Sequence, residues 1–241
     1  MIEIRNISKS FGDRKVLNDI SMVFKPGKCN MVIGSSGSGK SVLMKLMVGL
    51  MQTDEGQILY DDKDFTHLDY REKKEIRREI GMLFQSTALF DSLSVEENVG
   101  FPLKMFSKLH KDEQLDRINF CLQHVNLENQ NHKYPSELSG GMKKRVGIAR
   151  AIALNPKYLF CDEPNSGLDP LTSRVIDHLI QEITYEFQMT TIINTHDMKS
   201  VFDMGDHILY IHKGDKWWEG SKEEIRLNTN KELKEFVAAS I

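Results

Sequence analysis

GSSGSGKS, residues Gly34 to Ser41, decides the fold, because it meets the spacing G-x-x-x-x-G-K-[ST] at every specified position. The apolar run Cys29 to Ile33 leads into it, and Val42, Leu43, Leu46, Met47 and Leu50 follow at helical spacing. The local order is strand, loop, helix. Glycines at 34, 37 and 39 open backbone angles closed to other residues, so successive N–H groups turn inward around an anion. A helix starting near Lys40 adds about half a positive charge at its N-terminus. Phosphate is the expected guest, with the Lys40 ammonium on its terminal groups and the Ser41 hydroxyl on a shared Mg²⁺.

Upstream, Ile2, Ile4 and Ile7, then Val16, Leu17, Ile20, Met22 and Phe24, alternate as strands closed by a Pro26-Gly27 turn. This predicts an antiparallel flap. Phe11-Gly12 lies between its strands, where an aromatic stacks on a base as readily as it packs. Downstream, Thr53 to Gly56 reads as a turn, Gln57 to Tyr60 as a strand, and a mixed-charge helix runs to about Glu79. Ile80 to Phe84 (IGMLF) is a compact apolar strand ending on Gln85. From 86 to 155 the pattern is helical: Ser94 and Glu97 make a capping box, and Leu115, Ile118, Leu122 and Val125 recur at helical spacing. Leu138 to Leu154 supplies a further amphipathic helix. Then YLFC (158–161), a helix over Leu171 to Phe187, TIIN (191–194) and DHILYIH (206–212) alternate strand with helix, which predicts a parallel sheet. Lys213-Gly214-Asp215 reads as a hairpin, and Ser221 with Glu224 opens a closing helical segment. Trp217 and Trp218 read as strand and packing residues.

Composition narrows the class. At 241 residues, 40% hydrophobic and 28% charged, the chain has enough apolar matter for a full core. A net charge of -3 gives no general attraction for nucleic acid or an anionic membrane surface. Three scattered cysteines, Cys29, Cys121 and Cys161, lack metal-ligand spacing and are expected to be reduced core residues. The start, MIEIRNISKS, has no apolar leader, and no window approaches the roughly eighteen apolar residues a membrane span needs. A cytosolic protein is expected, with any membrane spans supplied by another chain.

Asp162-Glu163 follows the YLFC strand, so both carboxylates project from the sheet edge where ligands bind in open α/β folds. Asp162 suits a metal held through its water shell. Glu163 suits a base acting on a water aligned with the terminal phosphate. Gln85 and His196 also end core strands, and the histidine suits a hydrogen bond to the γ-phosphate or the attacking water. Leu138-Ser139-Gly140-Gly141-Met142 opens a helix and makes a second anion cradle. Two cradles accompany one acidic pair, so either two ligands bind or the second cradle completes a site on a neighbouring molecule.

GSSGSGKS, Gln85, LSGGM, YLFCDEP, Ser166-Gly167-Leu168-Asp169 and His196 stand in the order of the ATP-binding cassette ATPases, which the whole chain resembles. The resemblance implies an α/β P-loop NTPase (RecA-like) fold with a mostly parallel sheet. Its core would be residues 1–85 and 156–241, with the antiparallel β flap at the N-terminus, and residues 86–155 would form an inserted helical subdomain. It implies ATP and Mg²⁺ as cofactors, with ATP contacts from Gly34, Ser35, Gly37, Ser38, Gly39, Lys40 and Ser41, and adenine stacking by Phe11. Mg²⁺ would fall to Ser41, Gln85 and Asp162, and catalysis to Glu163, His196 and Gln85. Ser139, Gly140, Gly141 and Asp169 would act across a head-to-tail dimer of two copies. Met142 departs from the family's usual glutamine; LSGGM with KKRVGIARAI, and the segment Phe84 to Leu103, look like the cassettes of Mla/Mce-type lipid-trafficking systems. That similarity implies a permease docking near Gln85 to Pro102, a lipid-binding component, phospholipid cargo in a bacterial envelope, and a place on the cytoplasmic face of the plasma membrane. The alternatives are a cassette for lipoprotein, ion or amino-acid transport, a soluble cassette mechanoenzyme of translation or DNA repair, and a nucleotide-binding regulator without turnover.

Overall fold

The computed structural model describes residues 1–239; the last two positions of the segment expected to reach 241 lie outside it. In chain order the elements are β1 (Ile2–Phe11), β2 (Arg14–Phe24), β3 (Lys28–Ile33), α1 (Lys40–Met47), β4 (Glu55–Tyr60), β5 (Lys63–Asp64) and α2 (Tyr70–Arg78). Next come β6 (Ile80–Leu83), α3 (Val95–Phe106), α4 (Lys111–His124), α5 (Gly140–Ile152), β7 (Tyr158–Asp162) and α6 (Pro170–Glu186). The chain closes with β8 (Thr190–Thr195), α7 (Met198–Met204), β9 (His207–His212), β10 (Asp215–Gly220), α8 (Lys222–Leu227) and α9 (Lys231–Ala239). These pack as two units: residues 1–77 with those from 190 on, and residues 78–189.

In the first unit the strands run β5-β4-β1-β2-β10-β9-β3-β8. The predicted flap is there: β1 is antiparallel to β2, from Ile2 opposite Phe24 to Phe11 opposite Arg14, and antiparallel to β4. β3 lies parallel to both β8 and β9. Cys29 to Ile33 and all of β8 are buried, which is why both read as unbroken runs rather than alternations. Asn30 interrupts that apolar run at no exposure, and its amide is fully used. Nδ2 donates to the carbonyls of Lys25, Lys28 and Thr191, and Oδ1 accepts from Lys25 N–H. One side chain thereby ties the Pro26-Gly27 turn to β8. In α1, Leu43, Met44, Leu46 and Met47 are buried, whereas Leu50, expected on the same face, is 60% exposed. The helix stops short of it because Gly49 adopts a left-handed φ of 74°.

In the second unit β6 and β7 are parallel, from Ile80 beside Tyr158 to Leu83 beside Cys161. The capping box predicted at Ser94 and Glu97 starts α3. Ile118, Leu122 and Val125 are buried as expected, but Leu115 stays 40% exposed on the outer side of α4. α5 lies unusually close to β6: a Cβ on Gly147 would meet Leu83 Cδ1 at 2.7 Å, and one on Gly81 would meet the Ala151 carbonyl at 2.3 Å. All three cysteines are buried, and burial pushes the Cys121 thiol up to about 11. Among the described residues no helix is long and apolar enough to cross a membrane.

Candidate nucleotide-binding site

In the first unit, the register that sets Ile33 beside Thr195 makes the glycine loop and His196 leave neighbouring parallel strands at the same edge. Gly34 has φ 153°, and a Cβ there would lie 2.3 Å from the Ile211 carbonyl of β9. Gly39, at φ 112°, is the N-cap of α1 and brings no side-chain cap to that helix start. The Ser38 hydroxyl is buried in the loop with no partner, a polar group a bound phosphate would satisfy. Lys40, 7% exposed, donates to the carbonyls of Gly34 at 2.7 Å and Ser35 at 3.2 Å. Its own loop holds the ammonium beside the cradle. Ser35, Gly37 and Ser41 are exposed, as is His196, which directly precedes Asp197, the cap of α7. Phe11 is 47% exposed at the end of β1, with the Lys9 ammonium 5.7 Å from its ring centroid.

In the second unit, the register that pairs Leu83 with Cys161 sends Gln85 and the Asp162-Glu163 pair from the same edge of β6 and β7. Glu163 adopts φ 47°, a left-handed conformation uncommon for a side-chain-bearing residue, at the turn that leaves β7. Gln85 is exposed and its Nε2 donates to Ser166 Oγ at 3.2 Å. Ser139 caps α5, accepting from Met142 N–H at 3.2 Å. A Cβ on Gly141 would meet Thr172 Cγ2 at 2.5 Å, and one on Gly140 would touch Leu168 at 3.4 Å, so the start of α5 lies against Leu168 and the first turn of α6. Asp169 caps α6 through Leu171 and Thr172, and the Thr172 hydroxyl first, then the cap N–H groups, hold its carboxyl below the usual range.

The sequence reading missed Lys144. It is 4% exposed, and its ammonium donates to the Gln85 carbonyl at 2.6 Å and the Glu163 carbonyl at 3.4 Å. Burial lowers its pKa, opposed by Cys161, Glu163 and Asp162. A signal existed: positions 144, 147, 148 and 151 form one helical stripe, and the other three are Gly147, Ile148 and Ala151. No group of three or more His, Cys, Asp and Glu side chains able to hold a metal occurs among the described residues.

Strand, anion-cradling glycine loop and helix, with parallel strands carrying acids at one edge, define a P-loop α/β nucleotide-binding protein. Residues 17–166 match the family model described as ABC transporter, and the chain belongs to that family of ATP-binding cassette ATPases. Its relatives include the methionine import ATP-binding protein MetN of Campylobacter jejuni, 39% identical across 100% of this chain and 76% of the relative. Another is the probable ribonucleotide transport ATP-binding protein mkl of Mycobacterium leprae, 34% identical across 98% of this chain and 68% of the relative. The cassette MJ0796, solved as a dimer, superposes with a TM-score of 0.84 at 32% identity, over 92% of this chain and 99% of that one. It has also been solved after hydrolysis with ADP and Pi, and that structure matches with a TM-score of 0.83 at 32% identity, over 92% of this chain and 99% of its own. ATP binding and hydrolysis belong to the family, and this chain is an ATPase of it. One correction follows. The phospholipid cargo and lipid-binding component expected from Met142 and Phe84 to Leu103 find no support in these relatives, whose names give methionine import and ribonucleotide transport. A different cargo fits better.

Proposed function

We propose that the chain is the ATP-hydrolysing subunit of a transporter that energises a separate membrane permease, for a small polar solute of the amino-acid class. The observation that carries this is likeness over the full length of the chain to methionine import ATPases, at 39% and 38% identity in two organisms. Lys40 and the N–H groups opening α1 bind the phosphates, and Phe11 receives the adenine. Ser41, Gln85 and Asp162 would hold Mg²⁺, which would supply charge neutralisation on the phosphates. Glu163 takes the proton of the attacking water, and His196 and Gln85 orient that water. The uncapped start of α1 and the partnerless Ser38 hydroxyl support phosphate as the guest.

Two copies assemble head to tail, so that Ser139, Gly140, Gly141 and Asp169 of each serve the nucleotide of the other. The permease docks near Gln85 to Pro102, holding the ATPase on the cytoplasmic face of the plasma membrane. A cavity of about 410 Å³, lined by Phe84, Phe90, Phe101, Pro102 and Leu154, supports that surface, with the Phe90 and Phe101 ring centroids 4.7 Å apart and tilted by 45°. The test is a pull-down of tagged Glu163→Gln protein from gently solubilised membranes with ATP, with bound chains and small molecules identified by mass spectrometry. A multispanning permease with an amino acid is expected. A permease carrying phospholipid would overturn the cargo, and ribosomal or DNA-repair partners alone would overturn the transporter.

A further inference from the structure

We propose that α5 clamps the loop after β6 to the turn after β7, and that Lys144 is thereby a positioning residue for hydrolysis. Its ammonium holds the peptide groups from which Gln85 and Glu163 present their side chains. The proposal rests on the roles given above to those two residues.

Two cations on α5 reach the same loop. Lys144 binds the Gln85 carbonyl at 2.6 Å, and six residues on, Arg150 donates to the Thr87 carbonyl at 2.6 Å and the Ala88 carbonyl at 2.7 Å. Between them Gly147 lets the helix approach: a Cβ there would meet Leu83 at 2.7 Å and Thr87 at 3.7 Å. The loop so gripped is strained. Thr87 and Ala88 are consecutive left-handed residues, at φ 63° and 49°, and Thr87 is β-branched. Such backbone persists only where its surroundings over-determine it, and the Arg150 fork does so here.

Lys144 does more than anchor one loop. An ammonium buried to 4% exposure is costly unless its donors are used, and two of the acceptors it finds are carbonyls of different segments, Gln85 at 2.6 Å and Glu163 at 3.4 Å. Glu163 is itself left-handed, at φ 47°. One ammionium-to-two-carbonyl bridge therefore sets the separation of two peptide units whose side chains must converge on one water. A misplacement of about 1 Å in such a pair costs on the order of a hundredfold in rate.

The test uses the full chain carrying Lys144→Met, which keeps length but loses the donors, and Lys144→Gln, which keeps an N–H donor without charge. Glu163→Gln serves as the reference. Steady-state ATP hydrolysis and amide hydrogen exchange of segments 84–90 and 162–168 are read in each. For Lys144→Met the proposal expects kcat to fall at least about tenfold with KM for ATP changed less than about twofold. Lys144→Gln should recover a substantial part of that loss. Exchange in both segments should quicken without nucleotide, while exchange in β6 and β7 holds. A Lys144→Met kcat within about twofold of wild type, beside an inactive Glu163→Gln, overturns the clamp alone. Loss of kcat and KM together, with β6 and β7 also exchanging faster and no recovery by glutamine, reduces Lys144 to a structural strut and overturns it too. A Glu163→Gln protein with full turnover removes the reading on which the clamp rests.

Discussion

Lys40 and Lys144 are both buried lysines bonded to carbonyls, yet only one was legible. Lys40 stands at a fixed position in GSSGSGKS, where spacing alone gives it a task. Lys144 sits in a run, MKKRV, whose residue types read as solvated, and only its place on the buried stripe of α5 betrays it. Lys40→Ala should lower ATP affinity about ten- to hundredfold, the scale of a lost charge-assisted hydrogen bond, as read by titration calorimetry. An unchanged affinity would remove Lys40 from the cradle. The cysteines were read as reduced core residues, and at Cys121 burial raises the thiol from 9.0 to about 11. A protonated thiol favoured by folding contributes stability below pH 9.0 that is lost as pH rises toward about 11. Native protein at pH 8 should therefore resist iodoacetamide at Cys121, and the unfolded chain should react; rapid native labelling would contradict its burial.

Elements marked by a strong period or by an unbroken apolar run were read well, and those with neither were not. β3, β7 and β8 are short apolar runs bounded by turns, and the parallel pairing of β3 with β8 and of β6 with β7 was expected from the alternation of strands with helices. β5, with only two residues, offers no period, and α7, with seven, little more. The closing helical segment breaks into α8 and α9, because Ser221 caps one and Asn230 accepts from Leu233 N–H in the first turn of the other. Asn30 is invisible to pattern reading, since a buried asparagine inside an apolar strand looks like an exception until its bonds are traced. Asn30→Ala strands the acceptors it serves and should cost about 1–3 kcal/mol by urea unfolding. No measurable loss would show those carbonyls satisfied another way. Gly141 has a packing reason beside its proposed nucleotide role, since a Cβ would press on Thr172 at 2.5 Å. Thr172 is therefore the residue whose shortening, in a Gly141→Ala background, should restore the melting temperature while leaving any loss of ATP turnover.

For the whole molecule, family and chemistry were legible because they reside in short motifs in a fixed order, whereas the same phosphate-handling motifs serve any cargo. The expectation of phospholipid leaned on one substitution, Met142, and one segment. In the structure the Met142 contribution to the Ser139 cap is its backbone N–H, which any residue but proline provides. The docking surface is proposed around Phe90, where Asn98 holds the backbone by accepting from Phe90 N–H at 2.9 Å and donating to its carbonyl at 3.1 Å. Asp at Leu89 or Phe90 should uncouple transport in reconstituted vesicles and leave ATP binding intact; binding lost in step with transport would count against that surface. The most direct test of the account is pre-steady-state hydrolysis of ATP by Glu163→Gln beside its ATP affinity. The account predicts near-normal binding with hydrolysis slowed about 10²- to 10⁴-fold, the range for a positioned base. Hydrolysis at the wild-type rate would contradict it.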